Sequence, residues 1–259
     1  MPVYNGEQFI RAALDSLLKQ TFKNFELIIS DNASTDNTEL ICREYLKNDS
    51  RIRYFKQDKN LGAANNFQFV LNKAKGKYFM WAAHDDLWKK DFILKCVSLL
   101  RHDNLAIAAI TRSIYNKSAK NSGDSPLNSP VVLFRIAKFL KNPGPNSRFY
   151  SVYKIKFLKN INFSDYDYHA GDWAFIYDML FLGRYIRDEN YVGFIKRSGG
   201  AGSVMPKIES SMFNNIFFYF PLKRFCFHIF HRNIFLSLIF LPLLVRLNYM
   251  NYKYISKLR

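Results

Sequence analysis

The chain of 259 residues is poor in cysteine and in acid, and it lacks a long apolar run. Its three cysteines, Cys42, Cys96 and Cys226, are far apart and odd in number. No CxxC or zinc-type spacing occurs, so a thiol-held metal is excluded and reduced thiols in a cytosolic compartment are expected. Acidic residues number 21 against 38 basic ones, for a net charge of +17. That imbalance calls for an anionic partner: nucleic acid, a phosphorylated substrate or an acidic lipid surface. No nucleic-acid motif accompanies the charge, and that partner ranks last. The opening MPVYNGEQF has neither a basic segment nor an apolar one behind it, so no signal peptide is expected.

What is abundant is apolar. Hydrophobic residues make up 49% and aromatics 17%, enough for a substantial core and against wholesale disorder. From residue 7 to 111 helical and strand patterns alternate. Phe9, Ile10, Ala13, Leu14, Leu17 and Leu18 repeat at helical spacing, with Asn5 as the expected cap and Gln8 three residues on. FELIIS (25–30), RIRYF (51–55), residues 77–83 and LAIAAIT (105–111) read as strands. Residues 35–47, 63–74 and 89–100 read as the helices between them. This alternation predicts an α/β fold: a Rossmann-type, mostly parallel sheet with helices on both faces. Ligands bind such sheets outside the carboxyl ends of the strands, where PVYNGE, SDNASTDNT and HDD fall.

Residues 112–130, rich in Ser, Asn, Gly and Pro, predict a long loop. A helix over 172–183 and a strand over 190–196 follow. Residues 206–259 hold eight Lys or Arg and one acid among many Phe, Ile and Leu. An uncharged stretch as long as any there, 233–245, would be about 20 Å as a helix against a hydrocarbon core of about 30 Å, too short to span. Aromatics interleaved with basic residues suit helices lying on an anionic membrane; a helix docked on the domain is the alternative.

The run YFMWAAHDDLW (78–88) carries an apolar strand into His84, Asp85 and Asp86. Adjacent carboxylates need a cation, a helix terminus or solvent. Together with PVYNGEQFIRAALDSLLKQTFKNFELIISDNASTDNT, NLGAANNFQFVLNKAKGKYFMWAAHDD and GDWAFIYDMLFLGRY, the cluster resembles glycosyltransferase family 2. The first two blocks are dense and cover most of residues 2–95. The third is looser, and the tail after about 205 is not covered.

The resemblance implies a GT-A fold, a nucleotide-sugar donor (a UDP-sugar by default), Mn²⁺ or Mg²⁺, and inverting transfer. It implies a glycosyltransferase domain over 1–205, with the nucleotide-binding half at about 1–111, and a membrane-associating tail over 206–259. Pro2, Val3 and Tyr4 match the loop that holds the nucleobase, and Asp31 the acid that accepts from it. Asp31 is expected to face the ligand while Ser34 or Thr35 caps the following helix. Asn60 and Gly62 match a donor-side turn. HDD resembles a DxD motif with His84 in place of the first Asp, which puts the metal on Asp86 and the donor ribose, or support of the metal, on Asp85. Asp86 is alternatively a helix cap. Asp172 in HAGDW matches the catalytic base, with His169 structural or acceptor-side. Residues 112–130 and 140–170 are expected to shape the acceptor site.

Two departures stand out. The segment after the last core strand, KRSGGAGS (196–203), has no His where the family often carries one near the metal. The family also has a β-branched strand ahead of the PVYN loop, so the first strand is expected to be missing. That implies either a start downstream of the true one, which is favoured, or a truncated and inactive copy. The expected activity is sugar transfer to a lipid-linked or surface-polysaccharide precursor at the cytoplasmic face of the membrane. The alternatives are an inactive nucleotide-sugar- or membrane-binding remnant and, last, a nucleic-acid-binding protein.

Overall fold

The computed structural model describes residues 1–115, 124–144, 146–197 and 222–256, with side chains described to Lys253. The first half alternates as the apolar runs predict: β1 (Pro2–Val3), α1 (Ile10–Leu18), β2 (Leu27–Asp31), α2 (Thr38–Asn48), β3 (Ile52–Lys56) and α3 (Ala63–Lys73). β2 is buried along its whole length, as a strand covered on both faces must be. α1 buries Ile10, Ala13, Leu14 and Leu17, one helical stripe.

β1, β2 and β3 form a parallel sheet in that order. Where the family carries a full first strand, two residues pair here. Pro2 pairs with Ser30 and Val3 with Asp31, and the Met1 amine donates to the Ile28 carbonyl at 2.6 Å. β1 is nonetheless too short to join β2 to the next strand. A cavity of about 330 Å³, lined among others by Met1, Leu27, Ile28, Tyr78 and Phe79, lies in that gap.

The second sheet is built from β4 (Tyr78–Phe79), β5 (Leu87–Trp88), β6 (Ala106–Tyr115), β7 (Val152–Lys154) and β8 (Arg184–Lys196), in the order β4-β7-β6-β8-β5. Only β6 and β8 run parallel; the other three pairs are antiparallel. The expected mostly parallel sheet therefore holds for the first half alone. The strand expected over 77–83 shrinks to two residues, because β7 reaches β4 only at Tyr78 and Phe79. α4 (Phe92–His102), α5 (Val132–Lys141) and α6 (Gly171–Leu182) cover this sheet.

The C-terminal part folds as α7 (Lys223–Arg232), α8 (Ile234–Ile239) and α9 (Leu241–Ser256). Leu222, Phe225, Ile229, Leu244 and Leu247 are buried in the same core as α6. Part of the basic tail is thus docked on the domain. No described helix is long and apolar enough to cross a membrane.

Candidate active site

The loop after β1 and the loop after β2 are laced together. Asn5 adopts a left-handed backbone (φ 48°), and its Oδ1 accepts from the Thr35 N–H at 2.9 Å. Ser34 Oγ accepts from the Asn5 N–H, Thr38 Oγ1 from Gly6, and Asp36 Oδ2 from Glu7. Asn5 therefore does not cap α1, as its sequence position suggested; it ties down its neighbour loop. Pro2 and Val3 are buried in β1, while Tyr4 is 46% exposed, its ring available for stacking.

Asp31 is fully buried. Its Oδ1 accepts from the Ser34 N–H and its Oδ2 from the Tyr54 hydroxyl, each at 2.8 Å. Each oxygen thus carries one hydrogen bond within the protein, one of them from a residue 23 positions away, and keeps a lone pair for a second donor. Asn60 Oδ1 accepts from Asn32 Nδ2 and from the Gly62 N–H, each at 2.9 Å. Gly62 opens α3 at φ +81°, a conformation that needs glycine although space around it is open.

His84, Asp85 and Asp86 follow β4 and are 8%, 6% and 2% exposed, so solvent is not what makes the cluster tolerable. Nor does Asp86 cap a helix: α4 starts after Asp91. Burial lowers the His84 pKa and favours its neutral imidazole. Burial, then the neighbouring Asp85, raises Asp86 to about 7. Asp86 Oδ1 accepts from the Arg197 N–H at 2.9 Å, just past β8. The Arg197 guanidinium donates to the carbonyls of Asp85 and Phe9 and lies over the Phe9 ring. The segment in which the family often carries a His thus supplies an arginine here.

Asp172 sits in the first turn of α6, exposed, behind a left-handed Ala170 (φ 64°). Gly171 makes that entry possible, because a Cβ there would lie 1.7 Å from the Tyr166 carbonyl oxygen. Asp172 Oδ1 accepts from the Trp173 N–H and Oδ2 from Asn146 Nδ2, both at 3.0 Å. His169 is exposed three residues earlier. The link between Asp172 and the HDD cluster is Tyr150. Its hydroxyl pKa is pushed well above 10 by burial and by the fields of Asp86, Asp85 and Asp172 together. Asn146 and Tyr150 come from NPGPNSRFY (142–150), where only turn-forming residues hinted at structure.

The described residues contain no group of three His, Cys, Asp or Glu arranged to hold a metal. The donor set still fits a divalent cation shared with a substrate. Among the described residues, the Asp85 carboxylate and the second oxygen of Asp86 have no hydrogen-bond partner, although both residues are buried. Mg²⁺ is commonly held by one or two carboxylates plus substrate phosphates.

A parallel α/β half, polar loops at its strand ends and carboxylates on one rim define a GT-A-type glycosyltransferase domain. The sequence model described as Glycosyl transferase family 2 matches residues 1–176, and the chain belongs to that family. The UDP-Glc:alpha-D-GlcNAc-diphosphoundecaprenol beta-1,3-glucosyltransferase WfgD of Escherichia coli is 32% identical over 152 residues, 52% of this chain and 58% of WfgD. Glycosyltransferase GlyA of Streptococcus pneumoniae is 38% identical over 94 residues, 36% of this chain and 13% of GlyA. The chain spans less than two thirds of each of these relatives. Among solved structures, S. aureus TarS 1–349 in complex with UDP superposes with a TM-score of 0.62 at 17% identity, over 88% of this chain and 64% of that one. Mannosyltransferase PcManGT from Pyrobaculum calidifontis, with GDP-Man and Mn²⁺, gives 0.53 at 19% identity, over 75% and 55%. Both support the fold.

Proposed function

We propose that the protein is an inverting glycosyltransferase that moves a sugar from a nucleotide-sugar donor, by default a UDP-sugar, to a hydroxyl of a lipid-linked or surface-polysaccharide precursor. The observation that carries this reading is that one short segment joins the two carboxylate groups: Asn146 bonds Asp172, and Tyr150 packs on Phe194, whose strand partner Trp88 lies two residues beyond Asp86. In this reading Pro2, Val3 and Tyr4 form the nucleobase wall. Asn60 and Gly62 border it, and Asp31 acts from beneath by fixing the loop 32–35. Asp85 reaches the donor ribose.

Asp172 accepts the proton of the acceptor hydroxyl as that oxygen attacks the anomeric carbon from the face opposite the leaving group. The bond from that carbon to the diphosphate oxygen breaks, and configuration inverts. Asp86 would hold a Mn²⁺ or Mg²⁺ ion, which would supply charge stabilisation for the leaving nucleoside diphosphate.

WfgD, by its name, acts on a diphosphoundecaprenol-linked sugar, which supports the lipid-linked acceptor. The C-terminal helices support peripheral association with the cytoplasmic membrane face. Phe235, Leu238, Ile239 and Val245 are 57–75% exposed. Lys223, Arg224, Arg232, Arg246 and Lys253 accompany them, with no acid between Leu222 and Lys253. Flotation with anionic vesicles tests this, and failure of the full chain to float ends it.

The donor site is tested by thermal unfolding with UDP, GDP, dTDP or CDP, with and without Mn²⁺. A ligand at about a hundred times its Kd adds roughly 2.7 kcal/mol. A shift with one nucleotide, dependent on metal and lost in Asp86→Ala, is expected. No shift with any nucleotide would overturn the reading.

A further inference from the structure

Asp172 does not stand alone at the head of α6. Its carboxylate is held from two sides, by the Trp173 N–H of its own helix and by the side-chain amide of Asn146, 26 residues earlier. Asn146 is only 2% exposed, whereas Asp172 is exposed. A buried group therefore grips an open one. The Asn146 backbone is left-handed (φ 55°, ψ 41°), a conformation that few residues besides Gly, Asn and Asp take readily. Of these three, only asparagine offers an N–H₂ donor to a carboxylate.

The residues after Asn146 give the grip a direction. Ser147–Tyr150 forms a single 3-10 turn, and Tyr150 packs on Phe194 of β8 at a ring separation of 5.8 Å. Phe194 pairs across the sheet with Trp88, two residues beyond Asp86. One short turn thus runs from Asp172 to the strand pair that follows the HDD cluster, with the residue ahead of it bonded to Asp172 and its last residue packed on Phe194. Among the described residues the Asn146 Oδ1 is buried without a hydrogen-bond partner, so the side chain's defined polar bond is the one to Asp172.

We infer that Asn146 is a positioning residue for Asp172: it fixes the carboxylate so that one oxygen is presented toward the HDD rim at the angle proton removal requires. The inference rests on the proposed role of Asp172 as the base. Without the amide, the Asp172 side chain keeps its charge and its helix but is free to rotate in solvent. A misplacement on the order of 1 Å costs such a step about a hundredfold.

Two variants separate the side chain from the backbone it stands on. Asn146→Gly keeps the left-handed turn and removes the amide. Asn146→Asp keeps the shape and sets a second carboxylate against Asp172, so the pair competes for one proton. The readout is UDP release from UDP-glucose and UDP-N-acetylglucosamine with water as acceptor, over pH 5.5–9 (roughly the range set by a carboxylate pair). UDP binding is followed in parallel by thermal shift with Mn²⁺, and Asp172→Asn serves as reference.

Asn146→Gly is expected to lower kcat by about tenfold to a hundredfold, with the UDP shift unchanged. Asn146→Asp is expected to move the acid limb of the kcat profile to higher pH. A residue that merely supports the fold would weaken UDP binding along with kcat and leave the pH profile in place; that result overturns the inference. So does Asn146→Gly with kcat within about twofold of the parent while Asp172→Asn is dead. If Asp172→Asn itself stays active, both the base assignment and this inference fall.

Discussion

The peptide N–H of Arg197 donates to Asp86 Oδ1 at 2.9 Å and ties the residue just past β8 to the carboxylate cluster that follows β4. The bond stabilises the ionised form of Asp86, but burial and Asp85 outweigh it, and the pKa stands at about 7. The site therefore holds a carboxylate that would rather be protonated until a cation arrives.

That relationship gives a pH prediction. The Asp86 pKa is raised on folding from an ordinary value of 3.8 to about 7. The folded state binds the extra proton between those values, so this group's contribution is fully present below pH 4. It is lost as pH rises through 7. Asp86→Asn removes the dependence. In the absence of metal and nucleotide it is expected to stabilise the chain by roughly 4 kcal/mol at pH 8 and to change little at pH 4. Urea titrations at both pH values check it. Equal midpoints for parent and variant at pH 8 would show that Asp86 is not strained.

A second prediction concerns Asp178, which fastens the C-terminal helices to α6. Its carboxylate accepts from the Tyr166 hydroxyl at 2.8 Å, His228 Nε2 at 3.0 Å, and Arg232 Nε and Nη2 at 3.1 and 2.9 Å. Burial alone would raise its pKa, yet the bonds from His228 and Arg232 lower it overall. A depressed carboxylate contributes stability that is present above its unfolded value and lost as pH falls through the folded one. Asp178→Asn is expected to cost about 2–3 kcal/mol at pH 7, somewhat below the usual cost of breaking a buried pair because Arg232 is half in solvent. The loss should shrink below pH 4. Thermal melts at pH 7 and pH 3.5 test the sign.

Much of this was legible in the sequence, and the reason is local. β2 is a near-unbroken apolar run and α1 repeats at helical spacing, so short-range patterns were enough to find these elements. The failures share a cause: a partner distant in sequence. β4 stops at Phe79 because β7, more than 70 residues on, reaches no further. The bond from Tyr54 to Asp31 joins residues 23 apart and has no local signal. Asn5 has the chemistry of a helix cap, but the competing N–H of Thr35 won it. Asn146 and Tyr150 lie in a stretch with no periodicity, and only the folded chain brings them to Asp172 and Asp86. The tail's positive charge was visible, whereas the docking of α7 depends on Asp178, a carboxylate that reads in sequence as one polar position on an apolar helix.

The last prediction takes up that tyrosine. Burial, followed by Asp86, Asp85 and Asp172, pushes the Tyr150 hydroxyl well above 10, so it stays protonated at any working pH and acts as a donor. Its ring is fixed by Phe149 at 5.3 Å and Phe194 at 5.8 Å, contacts that phenylalanine would keep. The described residues give its hydroxyl no hydrogen bond to lose. Tyr150→Phe is therefore expected to leave the melting temperature unchanged within about 1 °C, under the roughly 2–4 °C that 1 kcal/mol moves in a domain of this size. If the hydroxyl donates to the transferred sugar or the departing diphosphate, kcat for UDP release should fall by about tenfold, one lost donor's worth or less. UDP affinity in the presence of Mn²⁺ should change little. A variant that melts early would mean the hydroxyl serves the fold. One with full kcat would mean that the three carboxylates surround it without using it.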